Sequence, residues 1–427
     1  MLQKYKHGGV SVALGKSTVT YVEGECAGGG SEINSGLYHR IPEEIIENWV
    51  EQYGVASLSS EELEPYYQEN EKAISVSYMP KEHIPLASLK LYEGAQKLGW
   101  DAREIPRWYK YDESGSGTKQ SMTETLIPES KLFGATYKYN NTVKKIQKRG
   151  NKWIVTALEE SPDYSEEHDY IAESVFICAG AIATPMLLQS NRLAKNAGKQ
   201  FYMHPTVKMV AEFPDQVNSE NMGVPVHQVK EFSPKISLGC SISSKEYIKL
   251  AMLDIPNGQS LAEQKWKNMA VYYAMTASGK GSITKLPFFS NPLVRFDLGG
   301  EGYSNILKGI EFMGKCLFSA GANHVYPVVQ GGMKISSFSE LKDFLYGITP
   351  EQLNLMTIHL FSSCPMGEKD VCVTNSYGKV NGQEGLYVND ASLLCTSLGV
   401  NPQGAVMAIA RRNIEQYLKE RLNESSN

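Results

Sequence analysis

The chain has 427 residues, which is long enough for two or three domains with a large hydrophobic core. Its 42 basic and 47 acidic residues give a net charge of −5, which excludes a general affinity for nucleic acid, and no run of about eighteen apolar residues predicts a membrane-spanning helix. The seven cysteines form no C-x-x-C pair and the N-terminus lacks the apolar core of a signal peptide, so we expect no disulfide framework, no metal site and a cytoplasmic location.

The first forty residues combine two β-rich runs with a glycine-rich segment. Residues 10–14 and 17–22 favour short strands. Gly28, Gly29 and Gly30, followed by Ser31, predict a loop rather than a stable helix or strand interior. The backbone N–H groups of such a loop can approach a flat or phosphorylated ligand closely. A glycine-rich surface turn explains the same residues equally well.

Residues 42–169 predict helices first and then a β-hairpin. Apolar spacing and flanking caps predict helices over 42–49, 60–75 and 86–98, and another after Met122. The aromatic and basic stretch 107–117 predicts a solvated loop, with base stacking as an alternative that the net charge disfavours. Alternation in 135–148 and 152–158 predicts the hairpin, and the acidic stretch 159–169 predicts a solvated loop.

The segment 170–191 indicates a ligand-binding strand and helix. Residues 174–178 are almost wholly apolar, which is typical of a buried parallel strand. A small-residue turn follows, and Thr184 and Pro185 are suited to capping the next helix. This layout places a ligand at the carboxyl end of a parallel strand, although any α/β protein contains several such units.

From residue 203 to about residue 347, strand-like runs alternate with turns. Helical patterns follow over 304–320 and 339–345. We expect an antiparallel sheet with covering helices, forming a separate domain that faces the substrate.

The C-terminal hundred residues contain two candidate site residues. His359 leaves an apolar strand and enters a small-residue loop, although a structural core histidine explains the same pattern, and His204 has a similar setting. The apolar run 386–388 predicts a strand, and a long amphipathic helix follows Asn401 and Pro402, which suit its cap and first turn. The positive end of that helix favours an anionic or electron-rich ligand; an ordinary docking helix is the alternative.

Four segments in this order resemble the glucose–methanol–choline (GMC) flavin oxidoreductases. They are GGGSEINSG (28–36), CAGAIATPMLLQSN (178–191), HLFSSCPMG (359–367) and LYVNDASLLCTSLGVNPQGAVMAIARRN (386–413). The Asn-Pro form at 401–402 is similar to the branch that includes cholesterol oxidases, in which other members carry a second histidine. The resemblance implies an α/β chain, α+β overall, with a Rossmann-like FAD-binding domain and an antiparallel-sheet substrate domain. The implied boundaries are 1–60, 131–205 and 351–427 for the first domain and 61–130 and 206–350 for the second.

The resemblance also assigns roles to single residues. It implies that FAD oxidises the CH–OH group of a small-molecule alcohol by hydride transfer to flavin N5. His359 would act as the base and Asn401 would position the substrate oxygen. Ile33 stands where some members attach FAD through a histidine, so non-covalent binding is expected. The implied FAD contacts are Gly28, Gly29, Gly30, Ser31, Asn34, Val143, Ala179, Gly180, Asp390, Ala391, Pro402 and Gln403.

One feature of the family pattern is missing. The sequence contains no complete G-x-G-x-x-G, and only 27 residues precede Gly28, too few for the family's first βαβ unit. We therefore expect an incomplete FAD-binding domain. Three alternatives to an active alcohol dehydrogenase or oxidase stay open: a lyase that keeps flavin without using it, a catalytically silent remnant, and one half of a split enzyme whose other chain supplies the missing unit.

The missing unit predicts weak or no FAD binding by this chain alone, because the pyrophosphate turn would be absent. The measurement is the visible flavin absorbance of the purified chain. Stoichiometric yellow protein would contradict this expectation.

Overall fold

The computed structural model describes residues 4–425, which contain strands and helices of very different lengths. The strands are β1 (Ser11–Ala13), β2 (Val19–Tyr21), β3 (Val76–Ser77), β4 (Ala102–Glu104), β5 (Arg107–Tyr111), β6 (Gly117–Lys119), β7 (Asn141–Arg149), β8 (Lys152–Glu160), β9 (Ser165–Ala172), β10 (Val175–Ile177), β11 (Tyr202–Met203), β12 (Thr206–Glu212), β13 (His227–Val229), β14 (Ile236–Cys240), β15 (Met269–Thr276), β16 (Lys280–Thr284), β17 (Leu293–Asp297), β18 (His324–Pro327), β19 (Leu355–Thr357), β20 (Leu360–Phe361) and β21 (Leu386–Val388). The α-helices are α1 (Gly30–Ile33), α2 (Glu43–Tyr53), α3 (Ser60–Ala73), α4 (Leu86–Lys97), α5 (Leu126–Leu132), α6 (Gly180–Ser190), α7 (Lys245–Ala251), α8 (Gly258–Lys265), α9 (Gly299–Ser319), α10 (Phe338–Tyr346) and α11 (Gln403–Ser425). Short 3₁₀ turns lie at Lys6–Gly9, Lys81–His83, Trp266–Asn268, Pro350–Gln352 and Ala391–Leu393. No helix within residues 4–425 has the length and apolar content needed to cross a membrane, and the cytoplasmic location stays a prediction.

A nine-stranded sheet organises the middle of the chain. Its order is β1-β2-β19-β12-β15-β14-β13-β4, with β18 also paired to β12. β19 runs parallel to β2, and the other pairings are antiparallel. The prediction of an antiparallel sheet with covering helices in this region is confirmed. The predicted domain boundaries stay predictions, and β1, β2 and β19 join this sheet from stretches assigned by sequence to the FAD-binding domain.

Helix α9 covers one face of this sheet. Its apolar side chains recur at helical spacing and are buried, including Ile306, Ile310 and Leu317. Gly309 lets the helix approach β15, since a Cβ there would lie 2.8 Å from the Cβ of Ala274. Burial of each such aliphatic side chain contributes about 1.5–3 kcal/mol, so this face is a main source of stability.

A second core surrounds a parallel strand pair. β10 and β21 pair in parallel, with Val175 opposite Leu386 and Ile177 opposite Val388. Each strand leads into a helix: α6 begins directly after β10, and α11 begins after the loop that follows β21. The predicted parallel strand is confirmed over Val175–Ile177, but of these three residues only Ile177 is buried and the following Cys178 is exposed. The chain is a mixed α/β protein, as expected.

Two predicted loops are strands. Residues 107–111 form β5, which pairs with β3 and β6, and residues 165–172 form β9, which pairs with β8 along its whole length. Both stretches lie in small sheets. None of the residues of β9 is fully buried, whereas β5 buries Arg107 and Trp108 at its start. Pairing with a neighbouring strand outweighs weak local β-propensity at such places.

Candidate active site

His359 lies between β19 and β20. The Thr357 hydroxyl accepts from the His359 N–H at 3.1 Å and lies 3.2 Å from the His359 carbonyl, which fixes the backbone at this junction. The ring has a neighbour at each nitrogen. Nδ1 lies 3.0 Å from Nδ1 of His204, and Nε2 lies 3.2 Å from the amide nitrogen of Asn401. The structure therefore brings together the two residues that the sequence proposes as catalytic.

Asn401 faces His359 instead of capping the following helix. Its Oδ1 atom lies 3.2 Å from Nε2 of Gln228, so the amide is engaged on both sides. The first helical hydrogen bond runs from the Val406 N–H to the Pro402 carbonyl at 2.9 Å, and α11 begins at Gln403. The predicted N-cap role of Asn401 is therefore wrong, because contacts with distant side chains take its amide.

One face of the nine-stranded sheet lies over this pair. Gln228 lies in β13 and Lys230 directly follows this strand, two residues further on, so their side chains point to the same side. The Gln228 amide nitrogen lies 2.9 Å from the Tyr273 hydroxyl, and the Lys230 amine donates to the Ser237 hydroxyl at 2.9 Å. His227, between them, points to the other side, where its Nδ1 lies 3.1 Å from the Ser88 hydroxyl. The sheet thus supplies polar groups to the site from β13, β14 and β15.

Burial and a nearby positive charge hold the histidines of this cluster neutral. Burial, followed by the charge of Lys230, lowers the pKa of His359 to about 4. Burial first, together with His359 and Lys230, holds the pKa of His204 well below its usual value, and the pKa of His39 is lowered in the same direction. Burial, and then the charge of Arg103, lowers the pKa of Lys230 to about 7. The site is therefore a dry environment in which a basic amine titrates near neutral pH.

The glycine-rich loop joins this region through Asn34. Gly28 and Gly29 adopt positive φ angles of 81° and 53°. The single helical turn α1 starts at Gly30, so Gly30 and Ser31 are helical although the sequence predicts a loop for them. The Ser31 hydroxyl donates to the Gly28 carbonyl at 2.7 Å. Asn34 donates from Nδ2 to the Gln403 side chain at 3.4 Å, so the loop lies against the start of α11.

The ends of β10 and β21 form a second cluster of predicted residues. The Asp390 carboxylate accepts from the Gly180 N–H at 2.8 Å and from the Thr184 hydroxyl at 2.5 Å. Because α6 begins at Gly180, Thr184 lies inside the helix, and the prediction that it caps the helix is wrong. The Ala391 carbonyl accepts from the Ser362 N–H at 3.2 Å, which connects this cluster to β20 beside His359.

The remaining predicted FAD contacts lie at the edges of this arrangement. Ala179 precedes α6 and is exposed. Val143 lies on β7 opposite Ala157, next to a β-bulge, and packs against the second core. Pro402 precedes α11 and supplies the carbonyl of its first turn.

Sequence reasoning missed several groups of the site: His39, Gln228, Lys230 and Tyr273. Each is an isolated polar residue in a strand or turn, with no motif around it. The one available signal was the two-residue spacing of Gln228 and Lys230, which places both on one face of a strand. That signal does not indicate which face meets His359.

The chain belongs to the GMC oxidoreductase family. The family's N-terminal model matches residues 1–206 and its C-terminal model matches residues 289–410. The chain is 33% identical over 434 residues to an uncharacterized GMC-type oxidoreductase, y4nJ, of Sinorhizobium fredii, a match that covers 98% of this chain and 86% of that protein.

More distant relatives differ in length and sequence. A long-chain-alcohol oxidase of Arabidopsis thaliana, FAO1, is 24% identical over 461 residues, covering 94% of this chain and 59% of that protein. A solved FAD-dependent oxidoreductase from Chaetomium thermophilum has a TM-score of 0.72 at 16% identity, covering 98% of this chain and 91% of that one. The fold is thus shared across large sequence distances, while this chain spans little more than half of the plant oxidase.

Helix α11 approaches His39 so closely that only glycine fits at its second residue. A Cβ at Gly404 would lie 2.2 Å from the His39 carbonyl oxygen and 2.9 Å from the Tyr38 ring. At Gly300, the second residue of α9, a Cβ would meet no atom within 4 Å. These two glycines form a matched pair that differs in packing.

We predict that Gly404→Ala destabilises the protein by about 1–3 kcal/mol, because overpacking outweighs the helical preference for alanine. The measurement is the urea concentration at the midpoint of unfolding. Gly300→Ala, the control, should be neutral or stabilising by up to about 1 kcal/mol. Equal effects of the two substitutions would show that α11 is not held against His39.

Proposed function

We propose that this chain oxidises the CH–OH group of an alcohol, with FAD as a non-covalently bound cofactor. The observation that carries the proposal is the contact of the His359 ring with the Asn401 amide at the start of the 23-residue helix α11. Membership of the GMC family and the similarity to a long-chain-alcohol oxidase support the class of reaction.

The residues present fit a flat, phosphorylated cofactor. A Cβ at Gly29, Gly30 or Gly180 would meet no atom within 4 Å, so these backbones border open space. One side-chain hydrogen bond joins the loop to α11, from Asn34 to Gln403. We propose that FAD is held by Gly28, Gly29, Gly30, Ser31, Asn34, Val143, Ala179, Gly180, Asp390, Ala391, Pro402 and Gln403. When bound, FAD supplies the acceptor for the hydride that leaves the carbinol carbon.

His359 and Asn401 hold the substrate oxygen in this proposal. Both can contact one oxygen atom, because the His359 ring and the Asn401 amide are only 3.2 Å apart at their nearest atoms. Fixing that oxygen orients the adjacent carbon, which is a positioning contribution to the rate. Exclusion of water by the sheet face above strengthens these hydrogen bonds.

Removal of the hydroxyl proton requires a basic group in the same site. The family resemblance assigns this role to His359, which then needs a lone pair on Nε2. Lys230 is a second basic group, because its amine is buried, has a pKa of about 7 and affects the pKa of His359. The pKa values of Lys230 and His359 differ enough that the pH dependence of kcat/KM shows which of the two groups is the base.

We predict that His359→Ala lowers kcat/KM for alcohol oxidation by about 10²–10⁴-fold when FAD is supplied, because a group that contacts the reacting oxygen is lost. The assay is dye reduction by a panel of primary alcohols, with flavin absorbance of the same sample. His324→Ala is the control and should retain activity, because His324 lies on β18 and contacts the Ser336 hydroxyl. Loss of flavin with His359→Ala would instead make His359 a structural residue.

We further predict that kcat/KM rises with pH through about 7. Only the neutral Lys230 amine can accept a proton, and its protonated form opposes the positive charge that develops as hydride leaves. His359, with a pKa of about 4, stays neutral over the same range and does not contribute to this rise in kcat/KM. The Lys230→Met variant should lose the rise in kcat/KM near pH 7. A wild-type profile that is flat from about pH 6 to 8 would exclude any role for Lys230 titration.

A further inference from the structure

A continuous chain of hydrogen-bonding atoms runs through the candidate site. The Gly399 N–H donates to Nε2 of His204 at 3.0 Å, and Nδ1 of His204 lies 3.0 Å from Nδ1 of His359. Nε2 of His359 lies 3.2 Å from the Asn401 amide, which lies 3.2 Å from the Gln228 amide. Donors and acceptors must alternate along such a chain, so one fixed donor determines the rest.

The fixed donor is the backbone amide of Gly399. A peptide N–H cannot accept a hydrogen bond, so Nε2 of His204 carries no proton. Burial and the neighbouring positive charge hold the pKa of His204 well below its usual value, so the ring is neutral. A neutral imidazole has one N–H, which in His204 must therefore be on Nδ1.

The tautomer of His359 follows from that of His204. The Nδ1–H of His204 points at Nδ1 of His359, which must accept it across the 3.0 Å contact. With a pKa of about 4, His359 is also neutral at physiological pH. Its single proton is therefore on Nε2, the nitrogen that faces Asn401.

Two buried atoms beyond Asn401 are compatible with this direction but do not select it. Oε1 of Gln228 and Nε2 of His39 are buried without a hydrogen-bond partner, and a contact between the two side chains can be satisfied by donation from either one. If Asn401 presents its oxygen to His359 and its nitrogen to Gln228, the Gln228 oxygen accepts from Asn401 and from Tyr273. The Gln228 nitrogen then faces His39 and donates to it. This direction of donation satisfies every member of the chain.

We propose that His204 is a positioning residue which, held by the Gly399 amide, keeps the proton of His359 on Nε2. This inference rests on the proposed function: in it, His359 contacts the alcohol oxygen as a hydrogen-bond donor and not as the base. Removal of the hydroxyl proton falls to another basic group in the site, for which Lys230 lies on the sheet face above. His204 touches neither substrate nor cofactor in this arrangement and acts through His359.

The direct test is long-range ¹H–¹⁵N correlation NMR of the full chain labelled on histidine, with the His359 signals assigned by their loss in His359→Ala. We expect wild-type His359 to show a protonated Nε2 and a bare Nδ1 near pH 7.5. In His204→Leu the bias is lost, and we expect a mixture of tautomers or a protonated Nδ1. His324→Leu, at a histidine outside the chain, should leave the His359 signals unchanged.

A wild-type spectrum with the proton on Nδ1 of His359 overturns the inference, whatever the activity. So does a His359 tautomer that stays on Nε2 in folded His204→Leu. If His204→Leu does not fold, a proton on Nδ1 of wild-type His359 still overturns the proposal. The measurement requires no flavin and no turnover, so absence of alcohol oxidation would end the proposed function and leave the tautomer result standing.

Turnover gives an independent second readout when FAD is supplied. We expect His204→Leu to lower kcat/KM, by about twofold if the two tautomers become equally populated and by up to about 10²-fold if the proton moves almost wholly to Nδ1. The rise in kcat/KM near pH 7 should persist, since it belongs to Lys230. Unchanged kcat/KM in folded His204→Leu would show that the tautomer does not matter for the reaction.

Discussion

The site depends on the direction of one backbone amide. The Gly399 N–H points at His204, and the identities of donor and acceptor along the following side chains are determined by that choice. Gly399 has a φ of 69° and packs against Pro234, where a Cβ would lie 2.4 Å from a carbonyl oxygen. A glycine is therefore required for this loop to turn its amide toward His204. The chemistry of His359 is thereby coupled to the conformation of the loop that leads into α11.

The antiparallel sheet contributes to the site as well as to stability. Its far face packs against α4 and α9, while its near face presents Gln228, Lys230 and Tyr273 to the histidines. A buried amine next to three imidazoles lowers the proton affinity of all of them. Burial is the main cause of the neutral state of these rings, and the single positive charge of Lys230 adds to it in all three.

The architecture separates two tasks within the GMC framework. The parallel pair β10 and β21, with the helices that follow them, gathers backbone and small residues at the strand ends, which suits a nucleotide cofactor. The junction of β19 and β20 gathers the polar side chains to which we assign the proposed alcohol substrate. Asp390 joins the two, because its carboxylate fixes the start of α6 while its neighbour Ala391 is bonded to the strand beside His359. Under the proposed function, the relative placement of cofactor and substrate rests on a few hydrogen bonds between strand ends.

The amino-acid sequence by itself determined the class of protein, the parallel strand at 174–178, most helices, and the candidates His359 and Asn401. These follow from local periodicity and from segments whose order is specific to one family. It could not show that residues 107–111 and 165–172 are strands, because partners distant in sequence stabilise them. Nor could it show that the Asn401 amide faces His359 and Gln228 instead of its own helix, since those residues are 42 and 173 positions away. Only the tertiary structure places His204, His39, Gln228 and Lys230 around His359, because the proton and charge distribution of a site depends on which groups meet in space.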